Sequence, residues 1–364
     1  MLHETIPLIP RRRQVIASFF VGLLLSGATL TAANAPAPLS LPRVMQLPLT
    51  WPDKVTTTEG FSDGKKDFAA GTELALQDVQ RDGVVVQLPG GGEPMLLDAS
   101  WTDLGLRAAK IQQELPEDVR SVTLADLVKR TDLLPDFVSL VTDITLGDGR
   151  VIPAGTELIP GRLQMNGGSL GVVLVEKGAS FNQHGGVDRL IFNAEFTDVI
   201  ARMRHQARKA PADRKLRSLA SLEGKLGNAR GEALAATETK PRYYVVYYAA
   251  DWCGWCKRFT PTLAKFHEEM QAKHPEVQVV YLSSDRSPEE MQKNFANSNM
   301  TWPAVAFDRR KEVMGLLAMA GPGTPHLMVL SADGQALHDG QPAGANGANA
   351  ALMALRRELS RAKK

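Results

Sequence analysis

Tyr247-Tyr248-Ala249-Ala250-Asp251-Trp252-Cys253-Gly254-Trp255-Cys256-Lys257 is the stretch on which the reading of the chain turns. It closes a run from Tyr243 to Ala249 whose aromatic and β-branched residues favour a buried strand. The spacing of apolar residues then predicts a helix from Cys253 to Lys273. A disulfide exchanger needs one thiolate at working pH and a second thiol close enough to resolve the mixed disulfide that forms. Cys253, at the helix start, would face unsatisfied backbone N–H groups and the positive end of the helix dipole, which favour a negative sulfur. One turn later Cys256 comes beside it. Cys253 is therefore the expected nucleophile, the exposed member of the pair, and Cys256 the expected resolving thiol.

The 364 residues contain only these two cysteines. A secreted protein stapled by disulfides scatters its cysteines along the chain, so this pair reads as chemical, not structural. The rival is half of a zinc site with His267 or His326 standing in, but zinc usually takes four ligands and no second Cys pair exists.

Outward from the pair, the C-terminal part alternates strand and helix. Strands are expected at Val277 to Ser283, Pro303 to Phe307, His326 to Leu330 and up to His338. Helices are expected at Pro288 to Asn297, Arg309 to Met319 and around Leu352, Leu355 and Leu359. Strand, helix, strand, then a helix into an antiparallel hairpin and a last helix is the order of an α/β sandwich.

This stretch resembles the thioredoxin superfamily: a strand, Trp252-Cys253-Gly254-Trp255-Cys256-Lys257, Pro261 where that family kinks its active-site helix, and Thr324-Pro325 where it places a cis-proline. Arg258-Phe259-Thr260-Pro261, Ser283-Ser284-Asp285-Arg286-Ser287 and Trp302-Pro303-Ala304-Val305 are similar to nucleoredoxins and tryparedoxins. The likeness runs over roughly residues 218 to 362. It implies a thioredoxin-like sandwich, thiol–disulfide oxidoreductase activity on protein substrates, no bound cofactor, catalytic Cys253 and Cys256, and supporting roles for Trp252, Gly254, Trp255, Thr324 and Pro325. For Trp255, burial and substrate contact both stay open, and Pro325 has an ordinary trans turn as its rival. Two departures stand out. Gly254-Trp255 replaces the relatives' Pro-Pro or Gly-Pro, so their redox potential does not carry over. Tyr247 occupies the place of a buried acid; with an ordinary pKa of about 10 a tyrosine is a poor base near neutrality, and sheet packing is its expected role.

The first half carries no such likeness. After a proline-rich linker, 34–52, short β-like runs broken by Gly and Asp turns occupy two regions that look like copies. Asp63-Gly64 and Ala70-Gly71-Thr72-Glu73-Leu74 match Asp148-Gly149 and Ala154-Gly155-Thr156-Glu157-Leu158. Gly83-Val84-Val85-Val86 matches Gly171-Val172-Val173-Leu174, and Trp101-Thr102-Asp103 matches Phe196-Thr197-Asp198. Two small mainly-β modules are expected, loosely resembling Src-homology-type barrels, each ending at a helix capped by Thr102 or Thr197. Helices are expected between them at Leu104 to Leu115 and Leu124 to Arg130, the second capped by Thr123 with Asp126 three positions on. The division is then 53–115 for β module 1, 116–210 for a helix, β module 2 and a helix, 211–242 for a basic linker, and 243–364 for the thioredoxin-like domain. The modules are expected to be dispensable for chemistry.

At the amino terminus Arg11, Arg12 and Arg13 precede an uncharged, largely apolar run from Val15 to Leu30 and then small residues, the pattern of a signal peptide over 1–33. Ala33 is the preferred cleavage point and Ala35 the alternative. An uncleaved segment would instead tether the protein to the membrane. The net charge of +2 comes from this segment, leaving the rest formally neutral. Residues 201–242 hold eleven Lys or Arg against four acids but no aromatic, which speaks for a solvated helix and linker over a nucleic-acid surface. The expectation is an exported, periplasmic or otherwise extracytoplasmic enzyme acting on disulfides of exported clients and recharged by a separate redox partner. The alternative is an envelope-associated adhesion or scaffold protein in which the Cys pair does no chemistry.

Overall fold

The computed structural model describes residues 36–214, 219, 222, 225–228, 240–321, 323–340 and 344–362. The expected signal peptide lies outside them, as does most of the proposed linker. No described helix is long and apolar enough to cross a membrane. The chain divides into two compact units at Val122/Thr123.

The first unit opens with helix α1 (Leu41–Gln46). It continues through β1 (Lys54–Thr56), the hairpin β2 (Phe61–Ser62) and β3 (Asp67–Phe68), β4 (Glu73–Gln80), β5 (Gly83–Gln87) and β6 (Met95–Leu97), then α2 (Leu104–Glu114). The antiparallel sheet runs β1-β4-β5-β6. Alternation along β4 turns Leu74 and Leu76 inward to Val55, Val84, Val86, Leu97 and Leu104, with Phe61 stacked on Phe68 at 4.8 Å.

The second unit repeats that plan in its first third: β7 (Val138–Ser139), the hairpin β8 (Ile144–Thr145) and β9 (Val151–Ile152), β10 (Glu157–Asn166), β11 (Ser169–Glu176), β12 (Leu190–Asn193) and helix α3 (Val199–Ala207). Its sheet runs β12-β11-β10-β7. The likeness between copies reaches single hydrogen bonds. Asp103 accepts the Thr56 backbone N–H at 2.7 Å and the Arg107 Nε–H at 2.7 Å, while Arg107 also reaches the Thr56 hydroxyl. Asp198 accepts from Ser139 at 2.8 Å and Arg202 at 2.7 Å, and Arg202 reaches the Ser139 hydroxyl. Each long strand bulges at the same place, at Leu76/Asp78 and at Pro160/Arg162. The helix caps fall one residue later than expected, at Asp103 and Asp198, whose carboxylates serve the first strand; Thr102 and Thr197 accept the first helical N–H instead. Between the copies, Thr123 and Asp126 form the expected reciprocal bonds, but only a single 3-10 turn, Asp126–Lys129, follows. The buried pairing of Arg130 with Asp132 redirects the chain there, and Leu134 is already extended before Pro135.

The remainder is the expected α/β sandwich. Its elements are β13 (Leu226–Gly227), β14 (Tyr243–Ala249), α4 (Gly254–Lys273), β15 (Val277–Ser283), α5 (Pro288–Asn297), β16 (Ala304–Val305), α6 (Met314–Met319), β17 (His326–Ser331), β18 (Ala336–Asp339) and α7 (Ala345–Ala362). The sheet order is β13-β16-β15-β14-β17-β18, with β15 parallel and β17 antiparallel to the central β14. The edge strand β13 and the buried Leu219 and Leu222 come from within the proposed linker. A 3-10 turn, Phe307–Val313, replaces the first half of the helix expected at Arg309 to Met319.

Because β14 is buried on both faces, its odd and even residues feed two cores. Tyr243, Val245 and Tyr247 join α4 and α7 through Leu263, Phe266, Leu352, Leu355 and Leu359. Tyr244, Val246 and Tyr248 join α6 and, with it, Val175, Val187, Ile159 and Phe181 of the second β module. That module therefore covers one face of the six-stranded sheet.

Candidate redox site

Cys253 is the N-cap of α4, and its Sγ accepts the Cys256 backbone N–H at 3.0 Å. The two cysteines form a disulfide with Cα atoms 5.2 Å apart. Both are buried, Cys253 at 5% exposure and Cys256 at 1%, so Cys253 is the more accessible only by a small margin. Pro261 lies inside α4 without breaking it.

Around the pair the indoles are exposed. Trp252 is 41% and Trp255 61% exposed, so neither is a core aromatic. Trp252 donates from its ring N–H to the Ser284 carbonyl at 3.3 Å, and the Arg258 guanidinium lies 4.0 Å from the Trp255 ring centre. Gly254 has open space where a side chain would begin. Thr324 and Pro325 are joined by a cis peptide. In the antiparallel register His326 pairs with Tyr248, so Pro325 follows the end of the ladder at the edge where β14 hands over to Cys253.

Behind the pair is a polar network that the residue types alone did not reveal. Asp285, fully buried, accepts from the Asp251 backbone N–H at 2.6 Å, the Tyr281 hydroxyl at 2.8 Å and the Ser283 hydroxyl at 2.7 Å. Burial pushes its carboxyl above the usual carboxylate range, against the pull of these bonds. The Asp251 carboxylate is held between Lys257 at 3.2 Å and Lys293 at 3.4 Å. Tyr247 is fully buried and shares a hydrogen bond of 2.9 Å with the Thr260 hydroxyl, which donates to the Cys256 carbonyl. Burial drives the Tyr247 hydroxyl far above its ordinary pKa, so it stays protonated in the pH range of thiol chemistry.

A buried cation secures this edge. Arg310 is 2% exposed and lies between the rings of Phe181 and Phe307. It donates to the carbonyls of Ser283 and Asp285, both at 3.0 Å, and of Gly185 at 3.4 Å. Burial brings its pKa down to about 10, which leaves it charged at neutral pH. No sequence signal marked Arg310 or Gly185, because the carbonyls of Ser283, Asp285 and Gly185 that accept from Arg310 lie between 25 and 125 positions from it.

No group of three or more His, Cys, Asp or Glu able to hold a metal occurs among the described residues. Both ring nitrogens of His326 are engaged, by the Gly321 N–H and by Asp339, and His267 shares its Nδ1 with Thr301.

Residues 241–336 match the family model described as thioredoxin-like. Nucleoredoxin of Mus musculus is 27% identical over 117 residues, 32% of this chain and 26% of the relative. Tryparedoxin of Trypanosoma brucei brucei is 36% identical over 90 residues, 24% of this chain and 60% of the relative. The chain thus spans about a quarter of the nucleoredoxin's length. Among solved structures, tryparedoxin I from Leishmania major shares 23% identity over 33% of this chain and 83% of its own, with a TM-score of 0.28. With a CxxC disulfide capping the helix that follows its central strand, the segment 241–336 of this chain is a thioredoxin-like domain.

Proposed function

We propose that this protein is an exported thiol–disulfide oxidoreductase that reduces or isomerises disulfides of client proteins. The observation that carries this reading is the disulfide at the start of α4 with the Cys256 N–H aimed at the Cys253 sulfur. The same donor and the free N–H groups of the first turn would stabilise a Cys253 thiolate once the pair is reduced.

In the reduced protein the Cys253 thiolate attacks one sulfur of a client disulfide. The client S–S bond breaks, its other sulfur leaves as thiolate, and a mixed disulfide forms. The Cys256 thiolate then attacks the Cys253 sulfur, releases the second client thiolate and restores the intramolecular disulfide. Two electrons pass from protein to client, and each departing thiolate takes a proton from solvent. A partner dithiol must reduce the pair for another round. For isomerisation, the thiolate of a different client cysteine attacks the client sulfur of the mixed disulfide instead; a new client S–S bond forms, the Cys253 thiolate leaves, and the protein is regenerated without net electron transfer. Trp252, Gly254, Trp255, Thr324 and Pro325 frame the approach to the pair. Export rests on the basic, apolar and small-residue pattern of residues 1–33. The two four-stranded sheets support two β modules of Src-homology-like plan.

Cys256→Ser tests the reading. Covalent adducts between Cys253 and clients should accumulate in the compartment to which the protein is exported. They should dissolve in reductant and be missing from Cys253→Ser and from the double variant. A folded, exported Cys256→Ser protein without adducts refutes the proposal.

A further inference from the structure

The connection from β11 to β12 carries a piece of the second β module onto the redox face. It is a compact, internally bonded loop. Asn182 donates its backbone N–H to the Gly186 carbonyl at 2.8 Å, and its side-chain oxygen accepts from the backbone N–H groups of His184 at 3.0 Å and of Gly186 at 3.2 Å. Gly185 has a φ of +70° and lies so close to the loop behind the pair that a Cβ there would stand 2.2 Å from the Ser284 carbonyl oxygen. Arg310 clamps both loops at once. The result places the His184 ring 6.1 Å from the exposed Trp252.

The charge on this face is unbalanced. Lys257 and Lys293 share the single carboxylate of Asp251. Arg258 and Arg286 are exposed and lie 4.0 and 6.0 Å from the rings of Trp255 and Trp252, but neither guanidinium has a carboxylate partner among the described residues. Glu290 binds the Arg286 backbone N–H, not its side chain, and Asp285 is buried and saturated. A guanidinium beside an indole keeps its edge N–H groups free for a planar carboxylate.

We infer that His184, Arg258 and Arg286, set around Trp252 and Trp255, form a client-reading surface that selects polypeptides with acidic residues beside the disulfide cysteine, and that the second β module contributes to it directly. This inference rests on the proposed redox function and names its substrate class.

The test uses the full-length, pre-reduced protein and three substrates. These are two disulfide-linked peptides identical except for Glu or Lys next to the cysteine, and a small neutral disulfide. At low salt the wild type should reduce the Glu peptide about five- to tenfold faster than the Lys peptide, and the ratio should shrink as salt screens the pairs. Arg258→Glu with Arg286→Glu should invert the ratio, and His184→Glu should lower it. Because each reading is a ratio within one preparation, partial misfolding does not mimic the effect; if the double variant does not fold, the salt dependence of the wild-type ratio decides. A wild type that turns over the small disulfide yet shows a ratio of one overturns this inference and leaves the redox function standing. Failure on the small disulfide overturns the function and the inference with it. An unchanged ratio in His184→Glu removes the β module from the surface.

Discussion

Gly161 of β10 lies against Ala318 of α6, so close that a Cβ on Gly161 would stand 2.3 Å from the Ala318 carbonyl carbon. Gly161 is the bulge residue of the long strand in the second β module. At the same bulge the first module carries Gln77, which is exposed. The duplicated modules thus differ where the second packs on the redox domain.

Replacing Gly161 by alanine should force β10 and α6 apart and destabilise the second unit by about 2 kcal/mol or more, since the neighbour is backbone and cannot rotate away. Gln77→Ala should stay within about 0.5 kcal/mol. Urea titrations of both variants check this, and equal effects would contradict the packing described.

The boundary of a self-sufficient redox fragment should fall at Thr123. Val175 and Val187 share a core with Tyr244, Val246, Tyr248, Leu316 and Leu317, and a fragment beginning near residue 218 would leave that face in water. A 123–364 fragment should unfold in one cooperative transition, whereas 218–364 should aggregate or lose its sharp melt. A well-folded, active 218–364 fragment would instead bear out the expectation from sequence that the modules are dispensable.

In the reduced protein Cys253 should titrate below an unperturbed thiol, with the alkylation rate reaching its midpoint below about 8.5. Tyr247→Phe should leave that midpoint in place, because the hydroxyl is committed to Thr260 and burial keeps it protonated. A shift of a full unit in Tyr247→Phe would make the hydroxyl part of proton handling.

Acidification should weaken the second unit through His326. Burial holds this imidazole below its ordinary value of 6.5, although Asp339 pulls the other way. The unfolded chain therefore takes up the proton first, and stability falls as pH drops through 6.5 toward the lower folded value. Protonation would also forfeit the Gly321 N–H bond to Nδ1. Melting temperatures from neutral pH downward should fall more steeply in wild type than in His326→Gln. His267, likewise lowered by burial, keeps a residual slope in the variant. Parallel curves would exclude His326 as a source.

The sequence by itself determined the strand from Tyr243 to Ala249, the helix capped by Cys253 and the pairing of two thiols one turn apart. It also exposed the duplication of the β modules. The strand, the helix and the thiol pair follow from local periodicity, from capping chemistry and from a three-residue spacing, all written within a few positions, and the duplication from short matching segments. What the tertiary structure decided is how those parts share surfaces. Arg310 reaches across 125 positions to Gly185, and Gly161 meets Ala318. His184 lies beside Trp252, and Asp285 is threaded among Tyr281, Ser283 and the Asp251 backbone. No periodicity encodes such contacts, because a buried guanidinium or a side-chain-free glycine is read only by the atoms that fold against it. The second module therefore looked like an appendage in the sequence and is one wall of the redox unit in the fold.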